Sequence, residues 1–152
     1  MNDKEKKYIF ASLFVIANRL QVLGDKLDPN LTVKQWLLIA CISKCGTAPT
    51  ISEVANTIGN SRQNVKKMAV ILKREGFLDL KKDSKDARIL RICLTDKCQK
   101  YFKKREGTDA EFIEQLFEGF DTNLIIEVYK GIAKLDKNIE EMEKKYGEEQ
   151  RS

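Results

Sequence analysis

The sequence predicts a mainly α-helical fold with one small β-hairpin, and three observations carry that expectation. Apolar residues recur at steps of three and four over most of the chain. Thr32, Thr50 and Ser61 each stand where a helix N-cap is needed. Two short apolar runs, Phe77-Leu78-Asp79-Leu80 and Arg88-Ile89-Leu90-Arg91-Ile92-Cys93-Leu94, flank a polar loop over 81–87.

Residues 4–27 read as one long amphipathic helix, with Ile9, Leu13, Ile16, Leu20, Leu23 and Leu27 on one stripe. Phe10, Phe14 and Ala17 widen the stripe beyond what one small neighbour would bury, which points to contact with a second chain. Asp28, Pro29 and Asn30 then end the helix. Thr32 and Gln35 form a capping box that opens a second helix, expected to run to about Cys45 and stop at Gly46. Thr50 and Glu53 form another, for a short helix to about Ile58, after which Gly59 permits a left-handed turn. Ser61 caps a fourth helix to about Glu75, ended by Gly76.

A short helix, a glycine turn, a longer helix and then a basic hairpin make a winged helix-turn-helix, in which a helix enters the major groove of DNA and the hairpin adds a second contact. After the hairpin, Thr95-Asp96 starts a helix that Gly107 is expected to kink or interrupt, with Thr108 and Glu111 re-capping it. Asp121 opens the last helix, whose Leu124, Val128, Ile132, Leu135, Ile139, Met142 and Tyr146 form a seam of coiled-coil type. Residues Gly147 to Ser152 are expected to fray.

Composition bounds the chemistry. With no His among 152 residues, a Ser-His-Asp triad, a Cys-His dyad and a His-ligated metal are excluded. The length suits one domain, and 42% apolar residues suffice for its core. No window approaches ~18 uninterrupted apolar residues, and MNDKEKKYIF lacks the regions of a signal peptide, so the expectation is a cytoplasmic protein with no membrane partner and reduced thiols.

The charge is divided. Residues 1–105 hold 22 Lys and Arg against 10 Asp and Glu, while 106–152 hold 6 against 13. Residues 61–91 alone hold ten cations and four anions, a density that suits a polyanion, although a solvated charged face has the same composition. Val65, Met68, Ala69 and Leu72 form the inward stripe of the fourth helix, which leaves Arg62, Gln63 and Lys66 outward, and Arg to guanine or Gln to adenine is the expected readout.

Leu31-Thr32-x-x-Gln35-Trp36, the helix pair 51–75, Leu72-x-x-x-Gly76-Phe77, the wing Asp83-x-Lys85-Asp86-x-Arg88 and Leu94-Thr95-Asp96-Lys97 together resemble the MarR (multiple antibiotic resistance regulator) family of bacterial transcription factors. The resemblance covers nearly the whole chain and implies a homodimer on double-stranded DNA. Residues 31–95 would form the DNA-binding part, and 1–28 with 96–148 the dimerisation helices. It implies that Ser61, Arg62, Gln63, Asn64, Lys66 and Lys67 lie on the recognition helix. It also implies that Arg88 is a minor-groove arginine oriented by Asp86 through a planar, bidentate pair; a local hairpin salt bridge is the other reading of that pair. Lys81, Lys82 and Lys85 would engage the backbone, Lys85 standing where the family more often has Arg. Family members bind anionic phenols, so Tyr8, Phe10, Phe14 and Trp36 are candidates for a pocket for a small aromatic or anionic effector, or else ordinary core. The function so implied is a repressor on a pseudo-palindromic operator.

Two other readings stay open: a thiol-based redox regulator, and a winged-helix interaction module that does not bind DNA. Cys93 is the candidate redox thiol, with Lys97 expected nearby to favour its thiolate. The hydroperoxide-sensing branch of the family carries its reactive Cys in the first helix, where this chain has none. Cys41 is expected in the core. Cys41/Cys45 and Cys93/Cys98 are spaced unlike a zinc site, and no metal, cofactor or catalytic residue is expected.

Overall fold

A computed structural model describes residues 3–149 as eight elements: α1 (Asp3–Asp25), α2 (Val33–Ser43), α3 (Ile51–Ile58), α4 (Arg62–Arg74), β1 (Leu78–Lys82), β2 (Leu90–Leu94), α5 (Asp96–Leu116) and α6 (Thr122–Glu149). They fall into two compact units, one ending at Lys104 and the other starting at Arg105. The fold class is the expected one, mainly α with a single hairpin.

The helix starts follow local chemistry. Thr32 Oγ1 accepts from the Gln35 amide and Gln35 Oε1 accepts from the Thr32 amide; Thr50 and Glu53 repeat the pattern at α3. Each reciprocal pair satisfies two amides that the first turn would otherwise leave without partners. Asp25 at the end of α1 takes another, its carboxylate accepting from Val33 N at 2.7 Å. α1 therefore ends two residues earlier than its apolar stripe, at a turn in which Lys26 and Leu27 donate to Leu23 and Gly24. α1 approaches α2 so closely there that a Cβ on Gly24 would collide with the Val33 side chain.

The core lies in the first unit. Leu38, Ile39 and Ile42 of α2, Val54 and Ala55 of α3, Val65, Ala69 and Leu72 of α4, and Leu78 and Ile92 of the hairpin are all buried, as is Cys98 of α5. Each large aliphatic side chain so buried contributes roughly 1.5–3 kcal/mol of transfer free energy. Phe77 and Tyr101 close the cluster edge to face at 5.1 Å, and the Tyr101 hydroxyl donates to the buried Asp28.

Further boundaries differ from the sequence reading. α2 stops at Ser43, short of Cys45 and Gly46, because the following segment must turn to bring its carbonyls to the hairpin: Ile92 N donates to Pro49 O at 2.8 Å, and Thr50 bridges Arg91. β1 extends through Lys81 and Lys82, paired with Arg91 and Leu90, so both lysines stand on a strand, and the wing turn occupies 83–89. α5 runs unbroken through Gly107 and Thr108, so the expected restart does not occur; an Arg105–Asp109 ion pair at 2.8 Å spans the glycine one turn apart.

In the second unit α6 begins after Asp121, whose Oδ1 accepts from Leu124 N, and continues through Gly147, where fraying was expected; residues 150–152 lie outside the described residues. Leu124, Val128, Ile132, Ile139, Met142 and Tyr146 of its seam are exposed. So, in the first unit, are Ile9, Phe10, Leu13, Phe14 and Ile16 of α1, a helix with no buried residue. Among the described residues no helix is long and apolar enough to cross a membrane.

Candidate nucleic-acid interface

The start of α4 is set by a run of polar contacts. Gly59 adopts the left-handed conformation (φ 68°, ψ 38°) and turns the chain out of α3. Asn60 Oδ1 then accepts from Ser61 N at 2.8 Å and from Asn64 Nδ2 at 3.1 Å, while Ser61 Oγ accepts from Asn64 N. Ser61 is thus a cap, and Asn64 is held by Asn60. With Val65, Ala69 and Leu72 buried and Met68 half-buried, Arg62, Gln63, Lys66 and Lys67 are left on the exposed face, as the apolar stripe requires.

The wing is built by carboxylates. Asp83 Oδ2 accepts from the amides of Lys85 and Asp86, and Ile89 N donates to Asp86 O, closing the turn without a glycine. Asp86 holds Arg88 as a fork: Nε to Oδ1 at 3.0 Å and Nη2 to Oδ2 at 2.9 Å, with the Asp86 carboxylate also accepting from Arg88 N. The hydrogen bond from Arg88 keeps the Asp86 carboxyl below its ordinary value. Although paired, the Arg88 side chain is 89% exposed, so its guanidinium is presented outward in a fixed plane.

Arg62, Gln63 and Lys66 of α4 meet Arg88 across one open groove of about 640 Å³. Its remaining lining is Thr50, Ile51 and Ser52 at the start of α3, with Ile89 and Leu90 of the wing. The lining has three cations and no carboxylate, which suits an anionic polymer. Sequence reasoning missed the α3 contribution, although the Thr50 capping box already marks Ser52 as lying in a helix's first turn. Lys67, Lys81, Lys82 and Lys85 are exposed outside this lining. Arg91, counted among the basic residues, is withdrawn: Nε donates to Asp83 and Nη1 to Ala48 O at 2.8 Å.

The other sequence candidates are separate. Tyr8, Phe10 and Phe14 project from α1, with Tyr8 74% exposed and the two phenylalanines packed edge to face at 5.2 Å. Trp36 lies on the exposed side of α2. Cys93 is half-buried on β2 opposite Asp79, and Lys97 turns elsewhere, donating from Nζ to Glu75 O at 2.7 Å and lying over the Phe77 ring. All four cysteines are free thiols, and among the described residues no group of three or more His, Cys, Asp and Glu forms a metal-ligand set.

No protein-family model and no curated protein matches the sequence. Solved structures match its fold. A MarR/EmrR family transcriptional regulator from Acinetobacter sp. ADP1 superposes with a TM-score of 0.79 at 17% identity, covering 90% of this chain and 97% of that one. FabT of Streptococcus pneumoniae, solved in complex with DNA, gives 0.66 at 18% identity, covering 90% and 99%. BpsR of Bordetella bronchiseptica, whose DNA binding is regulated by 6-hydroxynicotinic acid, gives 0.72 at 17% identity, covering 84% and 98%. At these identities the likeness is one of fold.

Proposed function

We propose that this chain, which has the winged-helix fold of MarR-family transcriptional regulators, is itself a regulator of that family that binds DNA sequence-specifically as a homodimer and represses from a pseudo-palindromic operator. The observation that carries the reading is the shared groove, in which Arg62, Gln63 and Lys66 of α4 face the Asp86-oriented Arg88 of the wing. Arg62 and Gln63 are the base-reading residues in this proposal, because Arg to guanine and Gln to adenine make two hydrogen bonds each in the major groove. Arg88 reads the minor groove, and Lys66, Lys67, Lys81, Lys82 and Lys85 neutralise phosphates. Residues 31–95 are the DNA-binding part. The exposed apolar faces of α1 and α6 are the dimer surface, and twofold symmetry then sets the recognition helices about one DNA turn, ~34 Å, apart.

The DNA complex of FabT and the ligand-regulated DNA binding of BpsR support extending both properties to this chain. An effector, a small aromatic or anionic molecule, acts by binding two conformations of the dimer with different affinity. Tyr8, Phe10, Phe14 and Trp36 are its proposed contacts.

The experiment is a titration of the purified protein against the DNA upstream of its own gene and against random DNA, at two salt concentrations. Preference for the upstream fragment that persists at the higher salt supports a specific regulator. Equal affinity for both fragments, falling steeply with salt, leaves only the electrostatic attraction and removes the specific reading.

A further inference from the structure

Away from the groove, Cys41 lies in the last turn of α2 and Cys45 two residues beyond the helix end. The two side chains are neighbours there: Cys45 Sγ donates to the main-chain Cys41 O at 3.3 Å. They open into a cavity of about 200 Å³ bounded by Gly46, Thr47, Pro49, Glu53, Val54 and Thr57. Cys45 is exposed and Cys41 half-buried.

We infer that Cys41 and Cys45 form a dithiol site that captures a trivalent arsenical in this cavity. Two adjacent thiols suit a pyramidal centre whose sulfurs are in mutual contact, whereas a linear two-coordinate cation holds its sulfurs on opposite sides. The reaction balances without an oxidant: two As–S bonds form, the oxygen of an arsine oxide leaves as water with both thiol hydrogens, and arsenic stays trivalent. Burial, and then the neighbouring Cys45, raise the Cys41 thiol above its ordinary value. That disfavours reactions that release thiol protons, and leaves the equilibrium position of this condensation, which has no net proton change, unaffected. The occupant lies against Gly46, Thr47 and Pro49, part of the segment whose Ala48 and Pro49 carbonyls anchor Arg91 and Ile92 of the wing. Cys93 and Cys98 offer no second such site, since Cys98 is buried and pushed up to about 11 by that burial.

The probe is phenylarsine oxide, and the readout is intact mass in the presence of excess 2-mercaptoethanol. The expected result is one phenylarsenic per chain, with loss of both thiol hydrogens, resistant to the monothiol and removed by dithiothreitol. Cys45→Ser, at an exposed position, is expected to abolish this adduct, as is Cys41→Ser, while Cys93→Ser retains it. An adduct undiminished in Cys45→Ser, an adduct lost in Cys93→Ser, or wild-type protein that carries only adducts stripped by the monothiol overturns the assignment. None of these readouts depends on DNA binding.

Discussion

Arg91 joins Asp83, at the base of the wing turn, to the main chain of the segment between α2 and α3: its Nε lies 2.5 Å from Asp83 Oδ1 and its Nη1 2.8 Å from Ala48 O. The Asp83 carboxylate is only 12% exposed and also accepts the two amides that close the turn. Removing Arg91 leaves this largely enclosed carboxylate without its charged counterpart. In Arg91→Ala the amides of Lys85, Asp86 and Ile92 are expected to exchange with deuterium faster than in the wild type, while those of α2 and α4 are unchanged. Uniform acceleration across the first unit would mean that the pair supports the whole core rather than the wing.

The same contact sets a pH dependence. The hydrogen bond from Arg91, then those from the Lys85 and Asp86 amides, hold Asp83 below its ordinary 3.8. A carboxyl depressed by folding contributes stability fully above its unfolded value and loses it as pH falls through the lower, folded value. The wing is therefore expected to stay ordered down to the ordinary aspartate range and to loosen only below it. Carboxyl chemical shifts of Asp83 followed through an acid titration check this, and a midpoint at or above 3.8 contradicts it.

Arg88→Ala removes the outward guanidinium while leaving the turn, which is closed by Asp83 and main-chain bonds. Operator affinity is expected to fall by about tenfold or more with the fold and dimer intact. Arg88→Lys is expected not to restore it, because an ammonium cannot make the two-bond fork with Asp86. Fluorescence anisotropy with a labelled duplex measures both variants, and unchanged binding removes Arg88 from the interface.

Lys82 and Lys85 should act differently. Each is exposed on the wing, outside the lining of the shared groove. Replacing either by Ala is expected to weaken specific and random DNA alike, and to reduce the slope of log affinity against log salt by about 1. A loss confined to one sequence would assign that lysine to base readout.

Leu72 anchors the inward face of α4 and is 1% exposed. Leu72→Ala is expected to cost about 2 to 5 kcal/mol by chemical denaturation, through lost transfer energy and the cavity left behind. Ile132 on α6 is expected to behave oppositely, since its side chain is exposed in the single chain. Ile132→Asp should leave the first unit's unfolding unchanged and shift sedimentation toward the monomer. An unaltered dimer would exclude that seam from the interface.

The amino-acid sequence by itself determined the features set within four residues of one another. The caps at Thr32, Thr50 and Ser61, the left-handed Gly59 and the apolar stripe of α4 are all local, so neighbouring residues suffice to specify them, whereas the Asp86–Arg88 fork was implied by the family resemblance. Helix ends that answer to distant partners were not legible: α2 stops early so that Pro49 can reach Ile92, and α5 continues where Gly107 suggested a break. Arg91 shows the same limit, because charge alone counts it as a DNA-binding cation, and only the approach of Ala48, 43 residues away in the chain, commits it to the wing's base. Joining Ser52, Arg62 and Arg88 around one groove is likewise a decision of tertiary structure, made when three elements bury their apolar faces in the same core.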